Sequence, residues 1–164
     1  MPGAGIEARF EELLSRLQSL EDEREVRNVI VRYCFAVDSE DADATQAQHW
    51  EDCVVNIDDQ TFYRGSEVRN IVTGPGQQAI LPECAHVMVP FIVEMKGARA
   101  TATGYASLIV KDKEGPGSYI LRQACTRIDL EKRNGVWKIS TRVSYVAGSN
   151  KARELLRNAL DPPS

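Results

Sequence analysis

Near neutral pH the chain offers few groups able to take up and release a proton. Among its 164 residues there are two histidines, His49 and His86, and histidine is the side chain that titrates there without help. A histidine acting as general base needs a neighbour that fixes its tautomer, and a carboxylate held near the core can do this. Asp38 is a candidate. In VRYCFAVDSED, Ile30, Cys34 and Asp38 follow one edge of an apolar helical stripe formed by Val26, Val29, Ile30, Tyr33 and Val37. A carboxylate at that edge needs either a partner or the solvent at a helix end, because an unpaired buried charge is costly. Two readings stay open. Either Asp38 orients an imidazole whose other nitrogen accepts a proton, or it ends the helix in water while His86, in AHVMV, is a satisfied core residue beside Val87 and Val89.

Other polar groups point less clearly to chemistry. His49 follows a Gln-rich turn and is expected at the surface. Cys34, Cys53, Cys84 and Cys125 are widely spaced with no CxxC pair, so they read as buried thiols rather than a zinc or redox site. Two histidines cannot build a histidine-rich metal centre, and neither a metal nor a cofactor is expected. Asn56, Asp58 and Asp59 fall where a tight turn wants Asn and Asp for backbone reasons alone.

The elements that must position these groups run from helices to strands. Phe10, Leu13, Leu14, Leu17 and Leu20 form one apolar stripe, and the charged EDERE that follows predicts the start of a second helix. Asp41 to Trp50 predicts a short helix, DCVVNI and FYRG short strands around the DDQ turn, and SEVRNIV a short helix capped by its serine. GPGQQAILPE, spanning 74–83, predicts a loop over a pocket. AHVMVPFIVEM, ARATATGYASLIVKD, SYILRQACTRIDLEKR and VWKISTRVSYVA are Val/Ile/Thr/Tyr-rich runs separated by KGA, KEGPG and RNG, the pattern of an antiparallel meander. KARELLRNAL predicts a terminal amphipathic helix, with DPPS after it. Strict alternation along the last strand puts Lys138, Ser140, Arg142 and Ser144 on one face and Trp137, Ile139, Thr141, Val143 and Tyr145 on the other. Helices packed on one face of an antiparallel sheet give an α+β domain.

Bulk properties narrow the partners. The formal net charge is −4, from 20 Lys plus Arg against 24 Asp plus Glu, with no basic run interleaved with aromatics, which argues against nucleic acid. Charges interrupt the N-terminal stretch and no run approaches the roughly 18 apolar residues of a membrane span. A soluble, cytoplasmic protein is expected, folded as one domain over 1–164 with 1–20 and 150–164 as peripheral extensions.

Taken in order, RYCFAVDSEDADA…W, AHVMV, GARATATGYA and RNGVWKISTRVSY resemble the SnoaL-like branch of the NTF2-like superfamily, over roughly Leu20 to Ala147. That resemblance implies a cone-shaped α+β barrel, a curved antiparallel sheet and helices around one deep apolar pocket. The family includes scytalone dehydratase, hexachlorocyclohexane dehydrochlorinase, bile acid dehydratase, ketosteroid isomerase, polyketide cyclases and non-catalytic subunits, so fold alone does not fix function. In its dehydratase-like members an aspartate at the end of the long helix orients a proton-abstracting histidine, positions that Asp38 and His86 match. By the same resemblance Tyr33 is expected as general acid or oxyanion donor and Arg142 as a pocket cation, the alternative for Arg142 being a solvated or subunit-facing strand face. Trp50, Phe62, Met88, Tyr105 and Tyr145 are the candidate substrate contacts, with core packing as the alternative for the aromatic rings and Tyr145 placed by the resemblance near the pocket mouth. Scytalone dehydratase has a second histidine on the sheet, and this chain has none after His86, so a single dyad is expected. What it implies is a cofactor-independent lyase acting on a small cyclic, largely apolar molecule. An isomerase or cyclase using the same site, or a non-catalytic binding or assembly subunit, are the alternatives. A homo-oligomer, dimer or trimer, is expected.

Overall fold

The structure is a computed structural model and describes residues 3–160. One helix, α1 (Gly3–Asp38, 36 residues), replaces the two that the charged EDERE segment suggested. From Ile6 to Asp38 there is neither Gly nor Pro to interrupt it. Its charges instead form pairs along the helix surface, Arg27 to Glu23 at 2.8 Å and Arg32 to Glu25 at 2.7 Å. The helix ends where Glu40 turns to a positive φ of 62°. Asp41 then accepts the Ala44 N–H at 2.8 Å and starts α2 (Ala42–Ala47).

Strand β1 (His49–Ile57) turns through Asp58 and Asp59, both at positive φ, into β2 (Thr61–Arg64). A 3₁₀ turn (Gly65–Arg69) leads into α3 (Asn70–Thr73). Ser66 does not cap it; the Glu67 carboxylate reaches back to the Arg64 N–H at 2.9 Å and secures the turn. A further helical turn, α4 (Pro75–Gln78), lies inside the segment expected to be loop. The AHVMVPFIVEM run divides at Val89–Pro90 into β3 (Cys84–Val87) and β4 (Phe91–Lys96), and both halves pair with β5 (Arg99–Lys111). β6 (Ser118–Arg133), β7 (Val136–Val146) and α5 (Asn150–Asn158) follow, the last capped by Ser149. The DPPS segment lies outside the described residues.

The sheet order is β2-β1-β7-β6-β5-β3, with β4 also on β5. It is mixed rather than wholly antiparallel, because β1 runs parallel to β7, and the path of strands does not close into a barrel. Its hairpin turns follow the sequence signals. Asn134 and Gly135 both take positive φ, as a two-residue turn between twisted strands requires. The expected helical stripe of Val26, Val29, Ile30, Tyr33 and Val37 is fully buried, packed with Ile128, Leu130, Trp137 and Ile139. No described helix is long and apolar enough to cross a membrane.

One irregularity decides what the inner face of β7 carries. The β6–β7 register slips between Asp129 and Leu130, which pair with Thr141 and Ile139, leaving Ser140 unmatched. The bulge reverses the in–out phase. Trp137 and Ile139 before it, and Arg142 and Ser144 after it, are all buried, where strict alternation would have separated them.

Candidate active site

Beneath α1 the sheet leaves a cavity of about 410 Å³. It exists because the inner face turns small at one end, with Ala106, Ala124 and Ser144 where the rest of the face carries Ile128, Leu130 and Ile139. Cross-strand register brings His86, Leu108 and Arg122 into one row across β3, β5 and β6, and all three line the cavity. Met88, Tyr33 and Arg142 line it too, and Gly74 to Gln77 of the α4 segment form part of its wall.

Asp38 and His86 meet at this cavity, although 48 residues separate them. The last turn of α1 sets the carboxylate against the start of β3. Asp38 Oδ2 accepts the His86 backbone N–H at 2.8 Å, and Oδ1 lies 2.6 Å from His86 Nδ1. With both oxygens held by one residue the ring orientation is fixed, and Nδ1 carries the proton that Asp38 accepts. Nε2 is then an acceptor with no hydrogen-bond partner among the described residues. Cys84 joins the group, its thiol, Asp38 and His86 having donor atoms within 4.8 Å of one another. The 2.6 Å contact is a short hydrogen bond between the ring and the carboxylate. Cys84 is instead approached by the Gln77 amide at 3.4 Å.

Across the cavity Arg142 Nη1 donates to the Tyr33 hydroxyl, and the guanidinium carbon lies 5.1 Å from the Tyr33 ring centroid. Both residues are buried, at 6% and 1% exposure. Burial pushes the Tyr33 phenol above its ordinary range, against the opposing pull of Arg142, so Tyr33 keeps a proton to donate. Among the described residues Arg142 Nε has no hydrogen-bond partner, and Arg142 forms no salt bridge there. A buried cation without a counter-charge suits a site where negative charge arrives or develops.

His49 is a correction. It is 3% exposed rather than on the surface, because it begins β1 opposite Ile139 and points under α1. Its Nδ1 lies 2.8 Å from the Thr45 carbonyl, and its ring packs edge-on to Tyr33 at 5.4 Å. Burial lowers its pKa to about 4, which keeps it neutral at physiological pH.

Of the side chains expected to contact substrate, Met88 lines the cavity and four do not. Trp50 follows buried His49 and so points to the outer face, its Nε1 donating to the Glu131 carbonyl at 3.0 Å and its ring flanked by Arg133 and Lys138. Phe62 sits exposed on edge strand β2. Tyr105 and Tyr145 share a cross-strand row with Cys125 on the outer face, and Tyr145 donates to Asp59 at 3.0 Å.

Residues 18–143 match the sequence profile described as the SnoaL-like domain. The chain belongs to the SnoaL-like family. No curated protein matches it in a sequence comparison. Among solved structures it is similar to an NTF2-like protein with a cystatin-like fold from Novosphingobium aromaticivorans, at 27% identity and a TM-score of 0.82, covering 88% of this chain and 94% of that one. LinA shares 22% identity with a TM-score of 0.69, over 91% and 99% of the two chains. A candidate scytalone dehydratase of Novosphingobium aromaticivorans shares 16% with a TM-score of 0.66, over 78% and 85%. The last two likenesses concern the fold.

Sequence reasoning missed one ionic feature of this SnoaL-like protein's cavity. Arg122 Nη1 contacts Asp58 Oδ2 at 2.6 Å, and Asp58 also accepts the Val146 N–H at 2.8 Å. The Arg122 guanidinium holds Asp58 below the usual carboxylate range. Asp58 has the positive φ expected of a turn residue, which hid its second role. The available signal was Arg122 itself, a charge two residues from the small Ala124 on one strand face.

Proposed function

We propose that this SnoaL-like protein is a lyase that converts a small cyclic, largely apolar molecule by removing a proton from carbon and expelling a leaving group. His86 Nε2 takes the proton, and the C–H electron pair becomes the new double bond. The leaving group departs with its bonding pair toward Arg142 and Tyr33, whose N–H and O–H groups donate to the charge it gains. Asp38 holds the imidazole in the tautomer this requires and stabilises the imidazolium once formed. The observation that carries this reading is the 2.6 Å contact of Asp38 with His86 Nδ1, with His86 facing the same cavity as Arg142. A cavity of about 410 Å³ suits a one- or two-ring substrate. A candidate scytalone dehydratase shares the fold, and a dehydration is one reaction this arrangement of groups would perform.

The test is a screen of hydroxylated cyclic ketones, followed by the appearance of the conjugated double bond, with His86→Gln measured beside the native chain. Turnover with a pH limb that vanishes in His86→Gln supports the proposal. A His86→Gln variant that keeps most of its activity, or a product with the double bond moved but no group lost, overturns the elimination assignment.

A further inference from the structure

Helix α1 carries two apolar stripes on nearly opposite sides. At about 100° per residue, Ile6, Phe10, Leu13, Leu17 and Leu20 lie roughly 150° around the helix from the stripe of Val26, Ile30, Tyr33 and Val37 that packs on the sheet. Every residue from 5 to 21 is exposed, a length of about 25 Å. Ile6, Phe10, Leu13, Leu17 and Leu20 are all more than half exposed. An apolar strip this continuous on a water-soluble helix marks an interaction surface. It also lies almost wholly outside the family match, which begins at residue 18.

The spacing identifies the partner. Successive gaps of four, three, four and three residues are the a/d seam of a coiled coil, with Phe10 and Leu17 at a and Ile6, Leu13 and Leu20 at d. In that register Asp22 is at f, the position opposite the seam. Asp22 is the residue that ties α1 to the β6–β7 hairpin, accepting from Lys132 Nζ at 2.7 Å and Trp137 Nε1 at 3.0 Å. The folded body therefore lies on the side of the helix away from the seam, and a second helix can lie along it without the two bodies colliding.

The flanking charges choose the direction. Arg9 and Arg16 are at g, Glu7 and Glu21 at e. Parallel helices bring each g residue against the following e residue across the seam, so Arg16 faces Glu21 of the partner subunit. An antiparallel pair sets g against g and e against e, arginine near arginine and glutamate near glutamate. The next seam positions, Arg24 and Arg27, are charged and end the repeat. We propose that Ile6 to Leu20 form a parallel coiled coil with the same segment of a second copy of this chain.

Sedimentation equilibrium of the full chain, with Leu17→Ala and Leu13→Glu/Leu17→Glu variants, tests this. The native chain is expected at a multiple of its 18.3 kDa monomer mass. Leu17→Ala should raise the dissociation constant at least tenfold, and the double variant should sediment as a monomer with the thermal transition of its body intact. Ile6→Cys should form an interchain disulfide on mild oxidation, since parallel helices place the two position-6 residues side by side. A monomeric native chain, an unchanged mass in the double variant, or no crosslink in Ile6→Cys overturns the proposal. So would a monomer that binds anionic phospholipid vesicles through this stripe.

Discussion

Acidification should destabilise the fold through His49 before the carboxylates titrate. Its pKa falls from 6.5 to about 4 in the folded chain because burial disfavours the charged ring. Above pH 6.5 the imidazole is neutral in both states and contributes nothing to pH dependence. As pH falls below 6.5 the unfolded chain binds a proton that the folded chain refuses, so stability drops by about 1.4 kcal/mol per pH unit until the folded pKa is reached. Between pH 8 and pH 5 the loss from this residue is about 2 kcal/mol. Urea denaturation at a series of pH values, on the native chain and on His49→Gln, measures it. Gln keeps a donor for the Thr45 carbonyl but cannot titrate, and His86 is common to both proteins and cancels. The native chain should lose about 2 kcal/mol more than the variant over that interval. Parallel stability curves would show that His49 takes up its proton in the folded state and that its burial under α1 is wrong.

Other expectations concern the cavity and its walls. Asp38→Asn leaves one acceptor oxygen where the His86 backbone N–H and Nδ1–H each use one, and removes the charge that stabilises the imidazolium, so kcat for the proposed elimination should drop on the order of 10²–10⁴-fold, with KM read alongside to separate binding from chemistry. Arg142→Met removes the buried cation and should lower kcat on the order of 10²–10³-fold, while chemical denaturation shows stability equal to or above that of the native chain, since a charge without a carboxylate is replaced by an apolar side chain. Gly104→Ala places a Cβ against the Pro90 carbonyl where β4 joins β5, and its unfolding midpoint should report a loss of about 1–3 kcal/mol.

Much of the architecture was readable because its causes are local. The three- and four-residue spacing of Val26 to Val37 needs no knowledge of the sheet to predict burial, and all five residues of that stripe are buried. RNG predicted a hairpin turn because Asn and Gly tolerate positive φ, and Asn134 and Gly135 adopt it. Errors arose where a local signal competed with another. EDERE carries the acidic residues of a helix start, yet nothing near it breaks the helix, and α1 runs through. Arg122 and Asp58 read as a strand charge and a turn residue, and meet only because Arg122 on β6 reaches past β7, the strand between them, to the turn that follows β1.

The sequence by itself determined which groups were available for chemistry, Asp38, His86, Tyr33 and Arg142, and that Asp38 and Tyr33 share a helix with an apolar stripe. Only the tertiary structure decided which of them meet. The contact of Asp38 with His86 spans 48 residues, and that of Arg142 with Tyr33 spans 109; neither separation leaves a local trace. The orientation of Arg142 depends on the unmatched Ser140, since one extra residue in a period-two strand turns every later side chain to the other face. The same period sends Trp50 outward once His49 is buried. Local periodicity fixes which residues share a face, and long-range strand pairing fixes which face looks inward.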